Sequence, residues 1–249
     1  MKIVTYIVIG PLAVIVLWFL LSISGIIDTF FLPSPLETFK DMVVLIVSGT
    51  IIPDIMITLG RVLAAFTLAL AIGLPLGLML GTSAKAYESV EFVIDFFRSI
   101  PATAMFPLFL LIFGITDSSK IAVAAFSSSL IILFNTAYGV RHSKKTRVFA
   151  AKVMGASRTQ IFKHISFWES LPQTFVGIRI AVSLSLIIII VTEMFIGTTA
   201  GLGKLIVDFQ YTYNISGMYA VILLTGIIGY LTNAIFIIAE KRFIHWTAV

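Results

Sequence analysis

The chain has 249 residues, of which 59% are hydrophobic and 12% charged, with a formal net charge of +5 and a mean hydropathy of +1.09. A soluble domain carries about 25% charged residues, so this composition belongs in a bilayer, and its positive excess is read as membrane topology instead of nucleic-acid binding. There is no cysteine, which excludes a disulfide framework and a thiolate metal site.

In chain order, six apolar runs approach the roughly 20 residues that a membrane-crossing helix needs. The first covers about Val4 to Leu21; Lys2 precedes it and no small-residue cleavage site closes it, so it reads as an uncleaved span. Next, Ser34-Pro35-Leu36-Glu37 has the form of a capping box with proline at the first helical position. Apolar Leu36, Phe39, Val43, Ile46 and Val47 follow at helical spacing, which predicts a short amphipathic helix on the outer membrane surface. Glu37, Lys40 and Asp41 exclude a further span there.

Span two is expected from about Val62 to Leu80. Glu88, Glu91, Asp95 and Arg98 recur every three or four residues after it, predicting an amphipathic helix at the cytoplasmic interface. Span three, about Pro101 to Phe113, contains Pro101 and Pro107, where the helix must bend or restart because proline has no amide hydrogen to donate. Spans four, five and six are expected at about Ile121 to Tyr138, Phe175 to Ile196 and Met218 to Ile238.

Between spans four and five stand Arg141, Lys144, Lys145, Arg147, Lys152, Arg158 and Lys163. Basic residues mark cytoplasmic loops, which places this loop, and with six spans both termini, in the cytoplasm. The opposite loops carry Asp28, Glu37, Asp41, Asp54, Asp117 and Asp208.

The basic loop has structure of its own. Val148 to Met154 favour helix, Gly155 suits a left-handed stop, and Ser157 with Gln160 forms a second capping box. The chain then passes Phe167 and Trp168 to Leu171-Pro172, taken as the opening of span five. Three readings compete: an ordinary basic loop, a DNA-binding helix-turn-helix, and a docking element for a cytosolic partner. Both ends of the loop enter the membrane, which leaves no free face for a DNA groove. The paired caps favour docking over a plain loop.

Glu193 lies deep in span five, where a charge costs roughly 2.5–3.5 kcal/mol on insertion scales and must face protein or water. It pairs with Arg61 or Arg179, caps the bend before the glycine-rich stretch, lines or gates a pathway, or couples protons. Asn135, Thr136, Ser127 to Ser129 and Thr192 are read first as hydrogen-bonding groups between helices and second as substrate contacts. Ser99 and Thr103, near the broken span, are further pathway candidates. His142, His164 and His245 are too scattered for a metal site, and no Gly-x4-Gly-Lys-Ser/Thr nucleotide loop occurs, Gly203-Lys204 being the nearest approach.

Ala150-Ala151, Gly155, Ser157 to Ile161 and Leu171-Pro172 resemble the EAA signature of bacterial ABC importer permeases, with Phe149 where that signature has glutamate. Leu32-Pro33-Ser34-Pro35, Arg61-Val62-Leu63, Arg98 to Pro101, Pro107 to Phe109, Phe113 to Ile115, Glu193 and Gly201 to Gly203 extend the likeness over about Leu32 to Trp246. Together they resemble the subfamily importing nitrate, sulfonates, taurine, bicarbonate or thiamine-precursor pyrimidines.

The resemblance implies an all-α membrane protein: a type I ABC importer transmembrane domain with about six transmembrane helices and a cytoplasmic coupling helix. It implies a first helix and outer amphipathic helix over 1–53, a transport core over 54–240 and a short cytoplasmic tail over 241–249. It also implies a bacterial inner-membrane location and a second permease subunit, most simply an identical copy. Two cytosolic ATPase subunits would bind ATP and Mg, this chain holding no cofactor, and an extracytoplasmic protein would deliver substrate. The docking surface would draw on Phe149, Ala150, Ala151, Met154, Gly155, Ala156, Ser157, Gln160, Ile161 and Phe162. Energy would enter through the segment 149–172. A secondary transporter is the reading of another class, and it meets no visible repeat symmetry.

Overall fold

Backbone polar groups find no water inside a bilayer, so an apolar chain of this kind satisfies them within helices. The computed structural model describes residues 2–195 and 197–244, with side chains from residue 9 onward, and every regular element among them is helical. α1 spans Lys2–Ile23, α2 Pro35–Val47, α3 Ile52–Gly81 and α4 Ala84–Ser99. A 3-10 turn over Ala102–Met105 leads into α5, Phe106–Phe113, and α6 spans Asp117–Arg141. α7 (Lys145–Val153) and α8 (Arg158–Ile161) form the basic loop, and a π turn over Phe162–Ser166 joins α8 to α9, Phe167–Glu193. α10 (Leu202–Tyr211) and α11 (Ile215–Phe243) complete the chain.

Four helical stretches are long and apolar enough to cross a membrane: Ile52–Gly81, Asp117–Arg141, Arg158–Glu193 and Ile215–Phe243. The pair α4 and Ala102–Phe113, bent by 89°, counts as a fifth if it is one broken span. α1 is the sixth apolar helix; its fully described part, Ile9–Ile23, is shorter than the others. The bend falls at Pro101, and Pro107 sits in the first turn of α5, where its missing amide hydrogen leaves no helical bond broken.

α3, α6 and α9 form the centre. Gly73, Gly77 and Gly81 recur every fourth residue on α3, and a Cβ at these positions would stand 2.5, 2.7 and 2.6 Å from Ser129 O, Leu133 O and Val140 Cβ of α6. Small residues at this spacing let the two backbones touch, which is how helices pack where lipid supplies no hydrophobic drive. Phe106, Val123, Ala124, Ile188 and Ile189 fill the adjoining core. α2 packs against α11 and α1, and its capping box is present with Ser34 and Glu37 bonding reciprocally.

Three boundaries differ from the sequence reading. α3 starts at Ile52, ten residues before the expected span, because Pro53 and Asp54 open it as first-turn residues. Pro172 does not open span five: it lies inside α9, and the chain is helical from Arg158 onward because the π turn, closed by Phe167 N–H on Phe162 O, carries the helix through. α10 was not anticipated, although Leu202, Leu205, Ile206 and Phe209 keep helical spacing. The expected end of span five at Ile196, and His245 and Trp246, lie outside the described residues.

Candidate functional site

Two sites stand at opposite ends of α3, α6 and α9. At one end is the basic loop. α7 stops in a Schellman arrangement: Ala156 N–H donates to Ala151 O and Gly155 N–H to Lys152 O, both at 3.0 Å. Gly155 has φ +81° with nothing within 4 Å of a Cβ there, so the backbone, not crowding, demands glycine. Ser157 then starts α8 through a complete capping box, its N–H donating to Gln160 Oε1 at 2.8 Å and its Oγ accepting from Gln160 N–H at 3.3 Å.

These caps hold an unusual surface. Phe149, Val153 and Met154 are 68%, 72% and 85% exposed. Ala150, Gly155, Ser157 and Gln160 are exposed as well, while Ala151, Ala156 and Phe162 are half-buried and Ile161 is buried, packing the loop to the body. Glu169, from the first turn of α9, accepts from Arg147 at 2.8 Å and from the Lys144 amide, tying α7 to the helix beneath it. Glu169 thus supplies a carboxylate on this loop, where Phe149 supplies none.

At the other end, Glu193 is fully buried. Its carboxylate accepts from Arg61 Nη1 at 2.7 Å, from Thr58 Oγ1 at 2.9 and 3.0 Å, and from Gly203 N–H at 3.0 Å. Of the two arginines considered for it, Arg61 is the one in contact; Arg179 meets Glu240 instead. Arg61 also donates to Ala200 O at 2.7 Å and reaches Asp117 with Nη2 at 2.7 Å. Lys120 adds a second cation to Asp117.

The first amides of α10 close the cluster. Gly201 N–H donates to Asp54 Oδ1 at 2.7 Å, Leu202 N–H to Thr58 Oγ1 at 2.9 Å and Gly203 N–H to Glu193. The N-terminus of a helix attracts negative charge through its free amides and dipole; here α3 and α9 supply that charge. Gly203 is required by closeness, since a Cβ would lie 2.1 Å from Ile190 O. Four elements, α3, α6, α9 and α10, are thus pinned by one buried group. Thr58 has no signal of its own in the sequence, and Asp54 and Asp117 enter it only as charges of the outer loops; Thr58 and Asp54 meet partners over a hundred residues away, while Asp117 meets Arg61 of α3 and its near neighbour Lys120.

The remaining pathway candidates make internal bonds. Asn135 is 8% exposed, donates to Ile131 O and accepts from Gln173 Nε2 at 2.8 Å, linking α6 to α9. Ser128 and Ser185 bridge the same helices at 2.8 Å. Thr192 and Ser99 donate to carbonyls of their own helices. Thr103 is half-buried in the 3-10 turn. No group of three or more metal-ligating side chains is present among the described residues.

The fold and its exposed capped loop are those of a multi-span helical membrane protein. Residues 73–245 match the family of binding-protein-dependent transport system inner membrane components. A probable ABC transporter permease of Brucella melitensis is 31% identical over 229 residues, covering 92% of both chains. The taurine transport system permease of Escherichia coli is 25% identical, over 96% of this chain and 88% of the relative. Among solved structures, an inward-facing form of the MetNI methionine ABC transporter has a TM-score of 0.68 at 22% identity, covering 78% of this chain and 95% of that one. The chain belongs to the binding-protein-dependent transport family and is the permease subunit of an ABC importer.

Proposed function

We propose that the chain forms the membrane pathway of an ATP-driven importer for a small anion such as nitrate, bicarbonate, or a sulfonate such as taurine. The observation that carries the coupling is the exposed apolar triad Phe149, Val153 and Met154, held between a Schellman stop and a capping box. Three large apolar side chains displayed on a polar, basic loop mark a surface that a partner covers. The partner is a cytosolic ATPase subunit, one on each of two permease copies, with ATP and Mg bound there. In this reading the loop and both termini face the cytoplasm at a bacterial inner membrane, an orientation that the loop's excess of basic residues supports. An external binding protein delivers the substrate at the end where Glu193 and Arg61 lie. The anion class follows the sequence likeness and the taurine relative; a thiamine-precursor pyrimidine is the second reading, on the sequence likeness alone.

Glu193 serves in this scheme as a structural carboxylate, because all its contacts are internal donors. The test is uptake into proteoliposomes containing the permease, its ATPase and its binding protein, with taurine, nitrate, bicarbonate and a pyrimidine offered in turn. ATP-dependent uptake of one of the anions is expected. Uptake that persists without ATP and stops when the proton gradient collapses overturns the importer reading; uptake of the pyrimidine alone overturns the anion.

A further inference from the structure

Five of the seven cations of the basic loop divide into two groups. Arg147 is neutralised by Glu169. Arg141, Lys145, Lys152 and Arg158 instead line a single cavity of about 1350 Å³ between the loop and the ends of α3 and α6. That exceeds the roughly 300–1,000 Å³ of an ordinary small-ligand pocket.

No carboxylate lines this cavity, and none of the four cations forms a salt bridge among the described residues. Arg141 is held in place from the side, its guanidinium 4.2 Å over the ring of Tyr87, which is itself buried. Four like charges around one open space repel each other, and an anion between them relieves that repulsion. The Thr146 and Thr159 hydroxyls add donors to the same wall.

We propose that this cavity binds a phosphate group, with the cations and threonine hydroxyls taking its oxygens. The cavity lies where α3 and α6 end and α4 begins, at the rim of the bundle. α4 beside it exposes Phe92, Val93 and Phe96, an apolar face on which acyl chains can lie while the headgroup reaches in. The source that fits both features is an anionic phospholipid, and free phosphate shares the headgroup's chemistry. The cavity shares Phe149 with the exposed docking triad, whereas Val153 and Met154 do not line it, and the proposal does not depend on which solute is carried.

The test is native mass spectrometry of the assembled importer in detergent, titrated with phosphatidylglycerol, with phosphatidylcholine as the neutral control. Phosphatidylglycerol binds preferentially, and the Lys145→Gln/Lys152→Gln variant, altered only at exposed side chains, weakens it by on the order of tenfold. Arg158→Gln weakens it further and Arg158→Lys restores most of the loss. Competition by millimolar inorganic phosphate that empties the site at equal lipid identifies a free oxyanion as occupant; resistance to it identifies the lipid. Equal binding of the two lipids, together with no phosphate binding, overturns the proposal. So does unchanged binding in both glutamine variants, or a variant that loses the ATPase while keeping its lipid, which makes the cavity part of the protein interface.

Discussion

Removing the positive charge beside Glu193 is the sharpest test of the buried cluster. Arg61→Met keeps an unbranched apolar stem without the guanidinium and leaves a fully buried carboxylate with Thr58 and Gly203 as its remaining donors. Breaking one side of a buried pair costs about 3–5 kcal/mol, because the partner stays buried and charged. Glu193→Leu falls at the lower end, near 3 kcal/mol, since Arg61 keeps Asp117 and Ala200 O. The double variant Arg61→Met/Glu193→Leu removes both charges and costs less than the sum of the two. It still orphans the Gly203 amide, the Ala200 carbonyl and one Thr58 bond, at about 1–3 kcal/mol for each buried group left unpaired. The expected coupling is therefore about 1–3 kcal/mol and incomplete. It is read as the loss of half-life at a fixed temperature in nanodiscs, an unfolding rate being the meaningful quantity for a membrane protein that does not refold. Asp117→Asn, whose side chain is 56% exposed, provides the mild comparison. Additive singles, or an Arg61→Met as mild as Asp117→Asn, would refute the reasoning.

Three other outcomes follow from the geometry. Met154→Glu, at a side chain 85% exposed, leaves thermal stability within about 0.5 kcal/mol yet weakens ATPase binding in a pull-down; undiminished binding contradicts the docking role. Gly155→Val forces a left-handed backbone on a β-branched residue at a cost of about 1–2 kcal/mol, while Gly155→Asn costs less, and transport-coupled ATPase stimulation should fall in that order; equal stimulation shows that the turn is not needed. Gly77→Ala sets a Cβ 2.7 Å from Leu133 O and destabilises by about 1–3 kcal/mol, whereas Gly226→Ala, with nothing within 4 Å, is neutral; matched thermal unfolding curves for the two would contradict the close approach of α3 and α6.

What the sequence reveals depends on how far apart the partners are. Ser34 with Glu37, Ser157 with Gln160, and Gly155 act within a turn, and all three capping features stand where their spacing puts them. Pro101 breaks its helix as its chemistry requires. The buried cluster is only half legible. Glu193 is conspicuous because a charge in an apolar run needs a partner, but Asp54 looks like an ordinary first-turn residue of α3 and Thr58 like any polar residue a turn further on. They become a site only when α10 folds back onto α3 across more than a hundred residues. The misreading of Pro172 has a local cause: proline signals a helix start, yet the upstream capping box and the π turn had already begun the helix.

That early start has a mechanical meaning. From Arg158 to Glu193 the chain is one helical stretch of 36 residues, some 54 Å long at 1.5 Å per residue. A bilayer core occupies only about 30 Å of it. One end lies next to the exposed loop surface, and the other holds the Gly203 amide in the first turn of α10. The helix is therefore a single strut: axial travel or rotation imposed beside Ser157 arrives at Glu193 without crossing a loop, and the π turn near the lower end is where such a strut would flex.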